Sequence, residues 1–338
     1  MLFALVFYIL TIPVRSQSNQ SNPLVVTTDR FEIYSNFWIN LHHFLYQKST
    51  EANKSHWTTV FEEPFISGLR KNETEIMERA IQHYQQNWIK KDLLFDDELY
   101  RIKRTLIKFN IHDFLSDEDL DLTFQQILNS IKPLYSRYFW SVHDKQNRLI
   151  VQEHLALIQR FENPGFDEIA DLTEGTWPSG KIRVDLSYYS NWAGAYCTVN
   201  PIHVILISQP KGPENRWPQY GWFELLFHEP THALILPNKG VVGETITKVS
   251  QEIDVKVQGG LWHAVLFAIT GSVVQKQLKE IGIDHEPLMI SNGIFSNYHA
   301  SISKFMPPYV NGQAELEETL KKIIEYQTQS EEKKQKVP

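Results

Sequence analysis

Residues 227–234 read FHEPTHAL and lie within the longer apolar run WFELLFHEPTHALIL. Read as a helix, the run places His228 and His232 four residues apart on one face, with Cβ atoms about 5–6 Å from each other. Two imidazoles so placed reach a single ion at the zinc–nitrogen distance of about 2.0–2.1 Å. Glu229 is turned by about 100° from His228, toward the open side where an activated water would lie, which is the position of a general base. A carboxylate and two imidazoles inside so apolar a segment are costly to bury without partners. A metal and its water are such partners, and a hydrogen-bonded core helix is the competing reading. Pro230 removes one helical hydrogen bond and crowds the carbonyl four residues back, that of Leu226, so a kink is expected between the two histidines.

Upstream of this run the apolar period is helical. FWINLHHFLYQ, TEIMERAIQHYQQNWIKKDLL, DELYRIKRTLIKF, FQQILNSIKPLYSRYFW and NRLIVQEHLALIQRF all repeat apolar residues at spacings of three and four. Ser116–Asp119, SDED, has the form of a capping box, and Pro164-Gly165 is expected to end the last of these helices. From Lys181 the period falls to two in KIRVDLSYYS, and HVILIS is a short strand-like run. GGLWHAVLFAITGSVVQKQL then reads as a second buried helix, apolar nearly all round. The expected fold is therefore α+β and mostly α. An all-helical N-terminal region (17–175) packs on a second region (176–330) that carries a small sheet and the HExxH helix, and residues 331–338 form a disordered tail.

Residues 1–16, MLFALVFYILTIPVRS, read as a signal peptide, so a secreted or periplasmic location is expected, with no membrane attachment after cleavage. A single cysteine, Cys197, excludes an intramolecular disulfide. The formal net charge of -7 offers no broad basic surface for nucleic acid.

The HExxH helix followed by a second helix that can carry a ligand resembles the zincin metallopeptidases, in particular the gluzincin-like arrangement. FELLFHEPTHAL with LWHAVLFAITG also resembles exported bacterial proteins of undetermined activity. The resemblance spans roughly residues 181–312 and implies zinc as cofactor, His228 and His232 as ligands, Glu229 as base, and a peptide or amide substrate. His232 is followed by ALILPNKG, so the histidine continuation of metzincins is absent, and no gluzincin third-ligand motif is present. For the third ligand His263 is preferred, being polar within the most apolar helix and beside the Gly259-Gly260 turn. Glu244, Glu252, Asp254 and His285 are the alternatives. The resemblance further implies a Tyr or His that stabilises the oxyanion; Tyr298 is chosen over His299, Tyr309 and His203. Tyr188–Cys197 is read as an edge strand that could pair with an extended peptide, or as a plain hairpin. His43 is assigned to core or surface ahead of the cleft. The expected function is that of an exported zinc-dependent hydrolase, a metallopeptidase. The rivals are a non-catalytic binding or scaffolding protein with a degenerate zincin helix, and a metal-dependent amidase of non-peptide substrates.

Overall fold

A computed structural model describes residues 22–209, 220–257 and 259–335, so the expected signal peptide lies outside the described residues. Its organising element is one five-stranded mixed sheet in the order β1-β2-β3-β5-β4. The strands are β1 (Leu24–Thr27), β2 (Phe31–Tyr34), β3 (Ile182–Ser187), β4 (Ala195–Val199) and β5 (Ile202–Ile207). The three central strands run parallel, while β1 and β4 close the edges antiparallel to β2 and β5. The rest is mostly helix, as the dominant three-to-four spacing requires.

The N-terminal region is not all-helical. The β1–β2 hairpin precedes the first helix, and β2 pairs in parallel with β3, with Ile33 opposite Val184. Both regions thus contribute to one sheet. Four-residue strands leave almost no alternation to detect, and this pair is stabilised by partners about 150 residues away.

Helices α1 (Phe37–Glu51), α2 (Glu63–Gly68), α3 (Lys71–Asn87), α4 (Asp97–Leu106) and α5 (Leu122–Tyr135) follow the hairpin, and α6 (Ser141–Thr173) is the longest in the chain. The cap of α5 is Asp121, which accepts from Phe124 N, rather than the expected Ser116 box. Nor does Pro164 end α6, which continues to Thr173. A cap at Gly165 would waste a close approach: a Cβ there would lie 2.6 Å from Phe227 Cε1 and 2.7 Å from Gln277 Nε2.

Beyond β5 come α7 (Gly221–Thr231), α8 (Gly240–Glu252), α9 (Leu261–Glu280), α10 (Leu288–Ser291), α11 (His299–Val310) and α12 (Leu316–Gln335). The expected tail is thus helical to Gln335. No described helix is long and apolar enough to cross a membrane.

The sheet has a core on each face. Tyr196 and Ile205 pack with residues of α1, α3, α4 and α5, while Cys197, Val204 and Leu206 pack with residues of α6, α7 and α9. Strand alternation explains the division, since neighbouring residues of one strand point to opposite faces. The HExxH helix belongs wholly to the second core.

Candidate metal centre

Every residue of α7 is buried, and three contacts fix its position. Its first turn is tied to the sheet by Trp222 Nε1, which donates to Ile207 O at 2.9 Å. Glu224, one turn before His228, lies 2.7 Å from His285 Nε2 and accepts from Leu288 N at 2.9 Å. Burial raises the pKa of Glu224, and the bonds to His285 and Leu288 N oppose the rise. The third contact is the packing of α7 against α9, helped by Gly271, where a Cβ would meet Pro287 Cβ at 2.8 Å and Glu224 Oε1 at 3.1 Å.

Pro230 acts differently from the expected kink. Helix α7 stops at Thr231, and His232 is its C-cap, still in right-handed helical conformation at φ -56° and ψ -21°. The last turn tightens: His232 N donates to Glu229 O, Ala233 N to Pro230 O and Leu234 N to Thr231 O, each three residues back. The proline removes the bond to Leu226 O, and the shorter bonds satisfy the carbonyls of Glu229, Pro230 and Thr231 where the helix ends. His228 and His232 nonetheless remain neighbours, with ring centroids 5.2 Å apart at 88°.

Helix α9 supplies the third imidazole. His263 Nε2 lies 3.1 Å from His228 Nε2, and its ring centroid is 4.9 Å from that of His232. One ligand nitrogen from each of His228, His232 and His263 falls within 4.8 Å of the others. Aromatic rings frame the trio: Phe267 lies 3.8 Å from the His228 centroid, Trp262 stacks on His263 at 4.8 Å, and Phe295 stands 5.1 Å from His263.

Three observations fit this donor set to a transition-metal ion. Burial holds all three imidazoles neutral: His228 titrates well below the usual range, His232 at about 3 and His263 at about 4, with repulsion among the rings adding to the effect at His228 and His232. Neutral imidazole is the form that ligates. Two nitrogens bound at about 2.0–2.1 Å with tetrahedral angles stand about 3.3–3.4 Å apart, close to the observed Nε2 separation. Finally, a set of three imidazoles suits zinc. The same 3.1 Å also suits a hydrogen bond between two neutral rings, and metal content separates the two cases.

Glu229 is 6% exposed, and no hydrogen bond reaches its carboxylate among the described residues. Burial pushes its pKa up to about 8, and the positive charge of Lys103 opposes the rise.

The remaining candidates fall elsewhere. Glu244, Glu252 and Asp254 are exposed, on or just beyond α8. His285 is engaged with Glu224, and His299 Nε2 lies 2.9 Å from Ile294 O. Tyr309 donates to Leu172 O. Tyr298 is buried and lines a small cavity with Leu261, Val257 and Ile324. Leu261 precedes His263 by two residues, about 200° around α9, so Tyr298 packs on the side of that helix away from the imidazoles. Its expected role as oxyanion donor therefore has no support in the geometry. His43 is core, with Nε2 2.9 Å from Tyr196 OH. His203 faces the other side of the sheet, 2.7 Å from Asp185. Strand β4 is an edge strand in regular antiparallel register with β5, but it spans Ala195–Val199, so of the expected Tyr188–Cys197 only Ala195–Cys197 belongs to it.

Sequence alone did not reveal the polar set around His203, made of the buried Lys103 and Asp185 and the half-buried Arg183. Its signal was Arg183-Val184-Asp185, two charged residues on one face of a strand otherwise apolar. No protein-family model matches the chain, and neither a curated protein nor a solved structure matches it.

Proposed function

We propose that this chain is a zinc-dependent hydrolase of peptide or other amide bonds. The observation that carries the reading is the convergence of His228, His232 and His263 from two helices, with the buried Glu229 next to His228 in the chain. Zinc held by these imidazoles would supply Lewis-acid polarisation and a hydroxide equivalent at neutral pH. Glu229 would accept the proton from the attacking water and return it to the departing amine nitrogen. A neighbouring dication favours the carboxylate form, which opposes the burial that otherwise keeps Glu229 protonated. The aromatic frame of Trp262, Phe267 and Phe295 lowers the local polarity and strengthens both interactions.

The test combines metal analysis with turnover. The purified protein, reconstituted with zinc and dialysed, is expected to retain a single ion per chain by elemental analysis. A peptide or amide library should then be cleaved by the wild type, while Glu229→Gln keeps zinc and loses at least about a hundredfold in turnover. A protein that retains no zinc has a hydrogen-bonded histidine cluster and no metal chemistry. Zinc retention without cleavage of any library member would favour the binding or scaffolding role.

A further inference from the structure

A second cavity, of about 760 Å³, opens between α4, the start of β3 and the turn that joins β4 to β5. It lies on the sheet face opposite α7, because Thr198 and His203 alternate with Cys197 and Val204, which pack in the α7 core. It is therefore separate from the histidine cluster. Five lining side chains are basic, Arg101, Arg104, Lys108, Lys181 and Arg183, against one acid, Asp119, in a chain whose formal net charge is -7.

Internal pairing leaves part of this charge uncompensated. Arg183 is held by Asp185, Lys108 by Asp117 and Asp119, and Arg101 reaches Glu98 at 4.0 Å. Arg104 and Lys181 have no carboxylate partner among the described residues. Arg104 donates to Tyr100 OH at 3.2 Å, and Lys181 donates to the carbonyls of Thr28 and Asp29. Behind the wall lies Lys103, 1% exposed, whose ammonium donates to Thr198 Oγ1 at 2.9 Å and to His203 O at 3.4 Å, again with no carboxylate partner among the described residues. His203, 3% exposed, is fixed through Nε2 by Asp185, and its Nδ1 has no hydrogen-bond partner among the described residues. Of these cations only Lys103 is buried, and an ammonium there without a counter-charge is costly unless a ligand supplies one, while the exposed Arg104 and Lys181 stand at the surface to meet it.

From this geometry we infer that the cavity binds a small multivalent oxyanion, a phosphate or polycarboxylate group held between Arg104 and Lys181 on the wall that contains His203. Its volume is that of a small-molecule site. The acidic remainder of the chain disfavours an extended polyanion such as nucleic acid and leaves the small anion. Charge-assisted hydrogen bonds from the guanidinium and the ammonium would hold it, the former in bidentate geometry.

The experiment is calorimetric titration of the full, chelator-treated chain, so that no zinc can hold the anion, with inorganic phosphate, pyrophosphate or citrate. Ionic strength is fixed at about 0.15 M with chloride to screen non-specific attraction. Saturable binding of at least one anion is expected, weakened at least tenfold in the double variant Arg104→Ala, Lys181→Ala. Both side chains are exposed, so that variant should fold, and circular dichroism verifies it. Asp119→Asn, which removes the one lining acid, should tighten binding, and the ring nitrogen signals of His203 should move on titration. Binding of phosphate and pyrophosphate alone assigns the ligand to phosphates, and binding of citrate alone assigns it to polycarboxylates. No saturable binding of any of the three, or a double variant within twofold of wild type, overturns the inference.

Discussion

Pro230 raises the sharpest question at the scale of single residues, because it stands between two candidate ligands. Its cost in a helix interior is about 3 kcal/mol, and in the last turn of α7 it still leaves Leu226 O without its helical donor. Pro230→Ala restores an N–H that can donate to Leu226 O and removes the ring that crowds that carbonyl, which changes the turn leading to His232. Stability is expected to rise by less than about 1 kcal/mol. Zinc affinity is expected to fall, because His232 would leave its tightened C-cap geometry. Thermal melts and competition with a chromophoric chelator read the two effects separately; a tighter zinc site in Pro230→Ala would show that the short final turn plays no part in placing His232. The histidine pair was legible because helical spacing alone puts the two rings together. His263 was legible because an imidazole in so apolar a helix needs a partner. Tyr298 misled because the chain around it carries no periodic signal, and only the packing of α11 and α12 against α9 reveals which side of the helix it meets.

Among the elements, α6 and α7 show how a backbone contact sets a site. Gly165 lets α6 pass directly over Phe227, the residue before His228, and over Gln277 of α9. Gly165→Ala gains helix propensity worth up to about 1 kcal/mol but drives a methyl into a fully buried ring, an overpacking cost of about 1–3 kcal/mol. The expected net result is a lower melting temperature together with weaker zinc binding, because Phe227 can yield only by moving the turn that carries His228. An unchanged melting temperature would mean that the two helices separate easily and that α6 does not define the site. None of this was legible in the sequence, where Pro164-Gly165 has the form of a helix stop. The glycine instead answers a close contact between elements more than sixty residues apart, and the β1–β2 hairpin was missed for the same reason, its pairing being non-local.

The whole molecule keeps an unusual number of histidines buried and neutral, and this sets its response to acid. Outside the histidine cluster, burial holds His42 well below its usual range, His43 and His203 at about 4, and His143 at about 3. In the metal-free protein His228, His232 and His263 behave alike. Each has a folded pKa below its unfolded value of about 6.5, so the unfolded chain takes up the proton first and stability falls as pH drops from about 6.5 toward 4. Glu229 and Glu224 oppose the trend, because their folded pKa values are raised and acidification relieves the cost of burying them. Seven imidazoles against two carboxyls leave a net uptake of several protons on unfolding. Each contributes up to about 1.4 kcal/mol per pH unit, against a total stability of about 5–15 kcal/mol. Asp185, held down chiefly by Arg183 and His203 against its own burial, adds a further loss below about pH 4. The metal-free chain should therefore unfold cooperatively between about pH 6 and pH 4.5. Zinc bound as proposed would remove three of the seven imidazoles from the titration until displaced, so a zinc-loaded chain should have its midpoint at lower pH and a shallower initial slope. Urea midpoints measured at half-unit steps of pH, with and without zinc, test both statements. A metal-free midpoint that stays flat from pH 7.5 to 5 would show that the buried histidines titrate near their unfolded values, and that the interior around them admits water.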